Sequence, residues 1–224
     1  GVCVRCFNLT DGYRHCYACA NCESVLDAVA PISYSVAHEQ LHHTLATYKQ
    51  PIGEVAKRLG IQLGAVLWRY LAGHEPCIAS AAGESGHDGR FALVTTVPSG
   101  DAGRDDQHPL RWIVGELVEP TRERYQPLLR RSWLPARPRS FNPKKYATLR
   151  ALDGESVLLI DDTWTTGANA QSAAASLKAA GAGPVAALVI GRHLNSEWHE
   201  NKRRLKALAA PFDWSTCALC APAG

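Results

Sequence analysis

The sequence predicts an α/β domain whose parallel sheet is flanked by helices, preceded by a small cysteine-rich segment. Three observations lead there. Val157, Leu158, Leu159 and Ile160 form a short continuous apolar run, which suits a strand buried on both faces. That run passes through Asp161 and Asp162 and a hydroxyl-and-glycine loop into an alanine-rich stretch of high helix propensity, which stops at Gly181, a natural cap. From residue 91 to 210 the pattern reads strand, helix, hairpin, strand, helix, strand, helix, the alternation of a parallel sheet with crossover helices.

A chain of 224 residues, 46% hydrophobic and 20% charged, can bury one good-sized core and a small appendage. The start, GVCVRCFNLTDGYRHC, has no uninterrupted apolar region of a secretory signal, and no run approaches the length needed to span a bilayer. A soluble, cytoplasmic protein is therefore expected. Gly1 in first place and the lack of methionine suggest that the native start has been removed or replaced. The net charge of +3 is mild, but between Arg122 and Arg150 there are nine Lys or Arg residues and one acid, Glu123, so the basic charge is concentrated.

Seven of the eight cysteines fall at two-residue spacing: Cys3 and Cys6; Cys16, Cys19 and Cys22; Cys217 and Cys220. CxxC pairs in a chain without an export signal point to metal rather than disulfides, because each makes a tight knuckle that presents two thiolates to one ion. Cys3, Cys6, Cys16 and Cys19 are the first choice for a structural Zn²⁺ site. Cys22 could replace one of them, and Cys217 with Cys220 could fold back to make a mixed site. Cys77 is expected as an ordinary core thiol. Residues 1–24 thus read as a zinc ribbon or knuckle that needs its metal to fold, and residues 25–224 as the main domain.

In chain order, VLDAVAPISYSV alternates well enough for a strand or two, and AHEQLHHTLATYKQ reads as an amphipathic helix with Leu41, Leu45 and Tyr48 on one face. Its histidines, His38, His42 and His43, lie mostly off that face and read as solvated. A second helix is predicted from Ile52 to Ala72, with Gly60 as the point where it could break, because Leu63, Val66, Leu67, Tyr70 and Leu71 recur at helical spacing. CIASAAGESGHDGR then reads as a short apolar piece and a surface turn. FALVTTVPSG, residues 91–100, is an apolar strand running into a turn whose amides could face an anion. PLRWIVGELV begins with a proline suited to a helix start and reads as a crossover helix. The basic segment 122–150 interleaves Tyr125, Trp133, Phe141 and Tyr146 with cations. It could be a single-stranded nucleic-acid surface, a mobile lid over a polyphosphate with Arg139, Lys144 and Lys145 near its tip, or a solvated hairpin. A last strand, Pro184 to Ile190, and a helix over SEWHENKRRLKALAA complete the pattern.

The loop after Asp162 carries the chemistry. A loop that opens a helix leaves several amides unpaired at the positive end of the helix dipole, which makes a phosphate cradle. Thr165 and Thr166 add donors, Gly167 lets the backbone approach an anion, and two carboxylates one loop away suit a polyol. A ribose 5-phosphate has hydroxyls at one end and a phosphate at the other.

Residues 157 to 169, VLLIDDTWTTGAN, resemble the phosphoribosyl pyrophosphate (PRPP) motif of type I phosphoribosyltransferases: four apolar residues, two acids, two apolar residues, then Thr-Thr-Gly-x-Thr. Thr163 and Trp164 stand where that family has aliphatic residues, and Asn169 where it usually has a hydroxyl. The cysteine-rich start, Tyr48-Lys49 closing an early helix, the strand ending in Val-Pro, the basic segment and this motif together resemble the ComF family, phosphoribosyltransferase-like proteins linked to DNA uptake (competence) in bacteria. After Val-Pro the chain has GRDDQHPL where that family carries Arg-Gly-Phe-Asn-Gln. The resemblance implies a type I phosphoribosyltransferase-like fold and a PRPP or other ribose 5-phosphate ligand with Mg²⁺. Asp161 and Asp162 would hold the ribose hydroxyls as catalytic residues; Thr165, Thr166, Gly167, Ala168 and Asn169 would bind the 5-phosphate, and Ser99 with Gly100 the pyrophosphate. Transfer of phosphoribosyl to an unidentified base is one expected activity. The other is a non-catalytic nucleotide- or single-stranded-DNA-binding role, for which Trp164, as an indole inside the phosphate loop, would reshape the pocket.

Overall fold

The protein is seen in a computed structural model that describes residues 1–22, 24–50, 53–84, 88–99, 107–134, 137, 139–198, 200–208 and 210–220. Its elements are α1 (Tyr17–Ala20), β1 (Ala28–Val36), α2 (Gln40–Thr47), α3 (Glu54–Ala81), β2 (Leu93–Thr96), α4 (Pro109–Trp112), a π-helical turn (Ile113–Leu117), α5 (Glu119–Arg122), β3 (Leu129–Arg131), β4 (Tyr146–Thr148), β5 (Val157–Trp164), α6 (Ala168–Ala179), β6 (Val185–Leu194) and α7 (Asn201–Leu208). Strands β1, β6, β5 and β2 lie in that order in a four-stranded sheet, and every pairing in it is parallel. Strands β3 and β4 form a separate antiparallel hairpin out of the basic segment. Among the described residues no helix is long and apolar enough to cross a membrane.

Period-two alternation along the strands builds two apolar layers. Leu158, Ile160, Leu188 and Ile190 point to one side, where α2, α3 and the Ile113–Leu117 turn cover them with Leu45, Tyr48, Leu67 and Ile113. Val157, Leu159, Val185, Ala187 and Val189 point to the other, against Ala170, Ala173, Ala174 and Leu177 of α6 and against Leu128, Leu129 and Tyr146 of the hairpin. The small side chains of α6 let it lie close on the sheet. Both edges are managed. Pro31 sits in β1, an edge strand, where a missing amide is tolerated. The outer edge of β2 is capped by the chain after α5, with Val94 N donating to Arg124 O at 3.0 Å and Gln126 N to Val94 O at 2.9 Å.

Several elements run longer than the local pattern indicates. The second helix is a single 28-residue element that passes through Gly60 without a break and continues over Cys77, Ile78 and Ala79 instead of ending near Ala72. Trp112 and Ile113 pack directly against Gly60, so tertiary contact takes over where propensity is weak. The stretch 25–36 makes one strand, not two. The helix expected over 109–118 is one α-turn followed by a π-helical turn, and the Thr121 hydroxyl donates to Val114 O at 2.6 Å and Val118 O at 3.0 Å at its end. β6 extends four residues past Ile190, held by its partners β1 and β5.

An ion pair locks the long helix to the edge of the sheet. Glu75, 1% exposed, accepts both guanidinium Nη groups of Arg124 at 2.6 and 2.9 Å and the Phe91 amide at 3.2 Å, and Arg124 also donates to Phe91 O and Pro120 O. Removing the cation would leave a buried carboxylate without its counter-charge. Arg124→Met should therefore lower unfolding free energy by about 3–5 kcal/mol, read from urea denaturation.

Candidate functional site

The two adjacent carboxylates lie inside β5, not beyond its end, because β5 keeps pairing with β6 through Trp164 while β2 stops opposite Ile160. The pleat then separates them. Asp162 continues the Leu158–Ile160 side and Asp161 the Val157–Leu159 side.

Asp162 is buried, 4% exposed, and its Oδ2 atom is already committed. The Tyr48 hydroxyl donates to it at 2.5 Å, and Lys49 Nζ is 2.5 Å away. Burial and the neighbouring carboxylates push the Tyr48 phenol well above its ordinary range, so it stays a donor. Tyr48 and Lys49 thus join the end of α2 to the middle of β5. Asp162 acts as an anchor for the strand end.

Asp161 faces the other way, into a small cavity bordered by Arg139, Thr163, Thr165, Thr166, Gly167 and Asn169. Burial first, and then the Asp162 charge, push its carboxyl up to about 8. The Asp162 amide, which donates to its Oδ1 at 2.9 Å, and the Lys49 charge oppose that rise without reversing it.

The loop from Thr165 into α6 forms the cavity wall. Gly167 has φ +81°, and a Cβ on it would overlap the Trp164 ring, so only glycine fits both the backbone and the indole beneath it. Trp164 is the buried last residue of β5, 3% exposed, and supports the loop from below; it does not project from it. Helix geometry leaves the first amides of α6 without intrahelical acceptors. Thr166 Oγ1 accepts from Ala168 N at 3.3 Å.

The hairpin tip closes over this loop. Thr166 Oγ1 donates to Arg139 O at 3.4 Å, Asn142 N donates to Ser172 Oγ at 3.0 Å, and Lys145 Nζ donates to Asn169 Oδ1 at 2.6 Å. Lys145 is buried, and its pKa is lowered by desolvation and by Arg131. Asn169 therefore orients a cation at the helix N-terminus. Lys144, which flanks the tip in sequence, is exposed. The cavity holds about 20 Å³, room for about one water, so a phosphate group would require the Arg139 segment to shift.

The second expected anion loop starts beside the first: Val97 N donates to Ile160 O at 3.0 Å, which places Pro98 and Ser99 next to Asp161 in the fold. Gly100, and the 103–106 part of GRDDQHPL, lie outside the described residues.

Cys3, Cys6, Cys16 and Cys19 gather with their sulfur atoms within 4.8 Å of one another, all buried, and form a set that can hold a structural metal such as zinc. Cys22 is not part of it. Cys6 Sγ and Cys16 Sγ are 3.6 Å apart, and contact with Cys19 and Cys6 lowers the Cys16 pKa, while Cys19 is pushed strongly up by Cys16 and Cys6. Thiols so crowded ionise together only around a cation. The knuckle lies on the sheet and is tied to the 165–167 loop by Arg192 of β6. That side chain, buried, donates Nε to Cys6 O at 3.0 Å and Nη1 to the Trp164 and Thr165 carbonyls at 3.1 Å each. Gln171 of α6 accepts the Val25 and Leu26 amides at 2.8 and 3.1 Å, fastening the chain just after the knuckle.

The C-terminal CxxC does not join that site. Cys217 and Cys220 meet His74 and Cys77 of α3, so Cys77 is a member of a second possible metal set and not a plain core thiol. The signal in the sequence was the helical i, i+3 spacing of His74 and Cys77, which acquires meaning only when a distant CxxC is brought to it.

Comparison with protein-family models and with curated proteins returns no match.

The two carboxylates should respond oppositely to substitution. Tyr48→Phe or Asp162→Asn removes a charge-assisted hydrogen bond in the interior and should cost about 1.5–3 kcal/mol in denaturant unfolding. Asp161→Asn should stabilise the free protein at neutral and alkaline pH. Its raised pKa makes the folded state hold a proton that the unfolded chain releases, so stability falls as pH climbs from about 4 to about 8. The Asn variant should lose that fall.

Proposed function

We propose that the protein is a PRPP-binding, phosphoribosyltransferase-like protein of type I fold that transfers phosphoribosyl from PRPP to a base. The observation that carries this reading is the cradle itself. A helix N-terminus, two threonine hydroxyls and a glycine in the left-handed region surround a cavity that has a proton-retaining carboxyl on one side and Arg139 and Lys145 nearby. A 5-phosphate would take the amides and hydroxyls of Thr165 to Asn169. The ribose hydroxyls would meet Asp161, with Ser99 and Gly100 toward the pyrophosphate. Of the acidic pair, Asp161 contacts the sugar and Asp162 positions the strand that carries it.

Loss of pyrophosphate leaves positive charge on the ribose ring, which Asp161 would stabilise once it has lost its proton, while Arg139 and Lys145 would offset the polyphosphate. Mg²⁺ bound with PRPP would supply the remaining charge neutralisation on the leaving group, with Asp161 as the nearby carboxylate. No nucleophilic side chain is required. Lys145, held by Asn169, gives the departure from the family's usual hydroxyl at that position a role of its own.

A second reading is favoured by the other face of the hairpin. Trp133 is 86% exposed at the rim of a groove of about 410 Å³ that Arg130 and Lys144 also line, a pairing of aromatic ring and cations suited to stacking single-stranded DNA. The two readings use different residues and are separable.

Calorimetry with PRPP and Mg²⁺ should show binding that Asp161→Asn weakens at least tenfold and Gly167→Ala abolishes; unchanged affinity in both variants would reject the assignment. Because the carboxyl must lose its proton to meet Mg²⁺, affinity should rise about tenfold per pH unit up to pH ~8 and level off above it. Anisotropy titrations with oligothymidylate test the DNA reading: Trp133→Ala with Lys144→Ala should weaken binding and flatten its salt dependence while leaving PRPP binding intact.

A further inference from the structure

We propose that His74, Cys77, Cys217 and Cys220 form a second, closed zinc site that staples the C-terminal segment onto the long helix α3. The ligand atoms of these four residues lie within 4.8 Å of one another, the cluster condition that the N-terminal cysteines also meet. Three features beyond that proximity identify the chemistry.

The first is the state of His74. Its Nε2 faces the Trp214 carbonyl at 3.1 Å, and its Nδ1 faces Cys220 Sγ at 3.8 Å and Cys77 Sγ at 4.0 Å. With Nε2–H donated to a backbone carbonyl, the lone pair sits on Nδ1 and points at the sulfurs. This is the outer-shell arrangement that fixes a ligating imidazole. The second is the turn at Cys217–Cys220. Cys217 N donates to Cys220 Sγ at 3.0 Å and Cys220 N donates to Cys217 Sγ at 3.3 Å, so both sulfurs accept backbone amides, as thiolates of a metal knuckle do. The third is Tyr70, one helical turn before His74 on α3. Its hydroxyl is buried beside Cys217 and has no hydrogen-bond partner among the described residues. A metal-bound thiolate would accept that proton donor.

One imidazole and three thiolates with no open position suit tetrahedral zinc and a structural role. Binding releases the three thiol protons and leaves the site with a net charge of −1. The segment it holds packs on the core through Trp214 and Leu219, with Phe212 against Trp214 and Arg69 stacked on the Trp214 ring, and Trp214 O meets His74. The site is independent of the phosphate cradle.

Metal analysis of the full chain purified with zinc should find two equivalents per chain, and Cys217→Ser with Cys220→Ser should leave one. Cobalt substitution should give two spectral components, with the one lost in that variant typical of three sulfurs and one nitrogen. As a check that needs no variant, alkylation mapped by mass spectrometry should find Cys77, Cys217 and Cys220 protected until a chelator is added. One equivalent in the unaltered chain, or equal alkylation of these three thiols before and after chelation, would overturn the proposal.

Discussion

The pleat of β5 governs how this molecule works. Two neighbouring carboxylates cannot share a face of a strand, so one must enter the layer beneath α2 and α3 and the other the layer beneath α6. Asp162, on the first side, is neutralised by Tyr48 and Lys49 and becomes part of the scaffold. Asp161, on the second, has no such ion pair among the described residues and is left beside the loop that opens α6. A single structural rule thus divides two chemically identical groups into a support and a cavity-facing group. The order of the sheet follows the same logic: β5 is internal, and the early stop of β2 opposite Ile160 leaves room for the loops at its carboxyl end.

Around that strand the connections converge on the loop from three directions. Trp164 fills the space below Gly167, the hairpin closes from above through Lys145 and Asn142, and Arg192 reaches across from the cysteine knuckle to the Trp164 and Thr165 carbonyls. The knuckle is therefore mechanically continuous with the 165–167 loop. Arg192 is a buried cation satisfied by carbonyls and by a cysteine sulfur, and a metal-bound, negatively charged thiolate cluster complements it better than neutral thiols do.

Much of the site was legible because its signals are short-range. The apolar run, the acids, the threonines, Gly167 and the alanine-rich helix are consecutive, and local turn chemistry and helix geometry explain each of them. The same holds for the CxxC spacing of Cys3, Cys6, Cys16 and Cys19. Legibility failed where a weak local signal met a strong distant one. Gly60 looked like a break, yet packing from Trp112 and Ile113 carries the helix through it. Cys77 looked like a lone core thiol, because its partners arrive from the other end of the chain. Trp164 looked like an intruder in the loop, since sequence order cannot say whether an indole at a strand end points up or down.

What the sequence alone determined is the α/β alternation of the main strands and helices, the glycine-bearing loop at the start of α6 and the four-cysteine knuckle, because hydrophobic period, glycine conformation and ligand spacing act over a few residues. Only the tertiary structure decided which carboxylate is anchor and which faces the cavity, through a hydrogen bond between residues 114 positions apart. It also decided that the C-terminal cysteines meet His74, at a separation of 146. Such pairings depend on how the sheet brings helix ends together, and no local pattern encodes that.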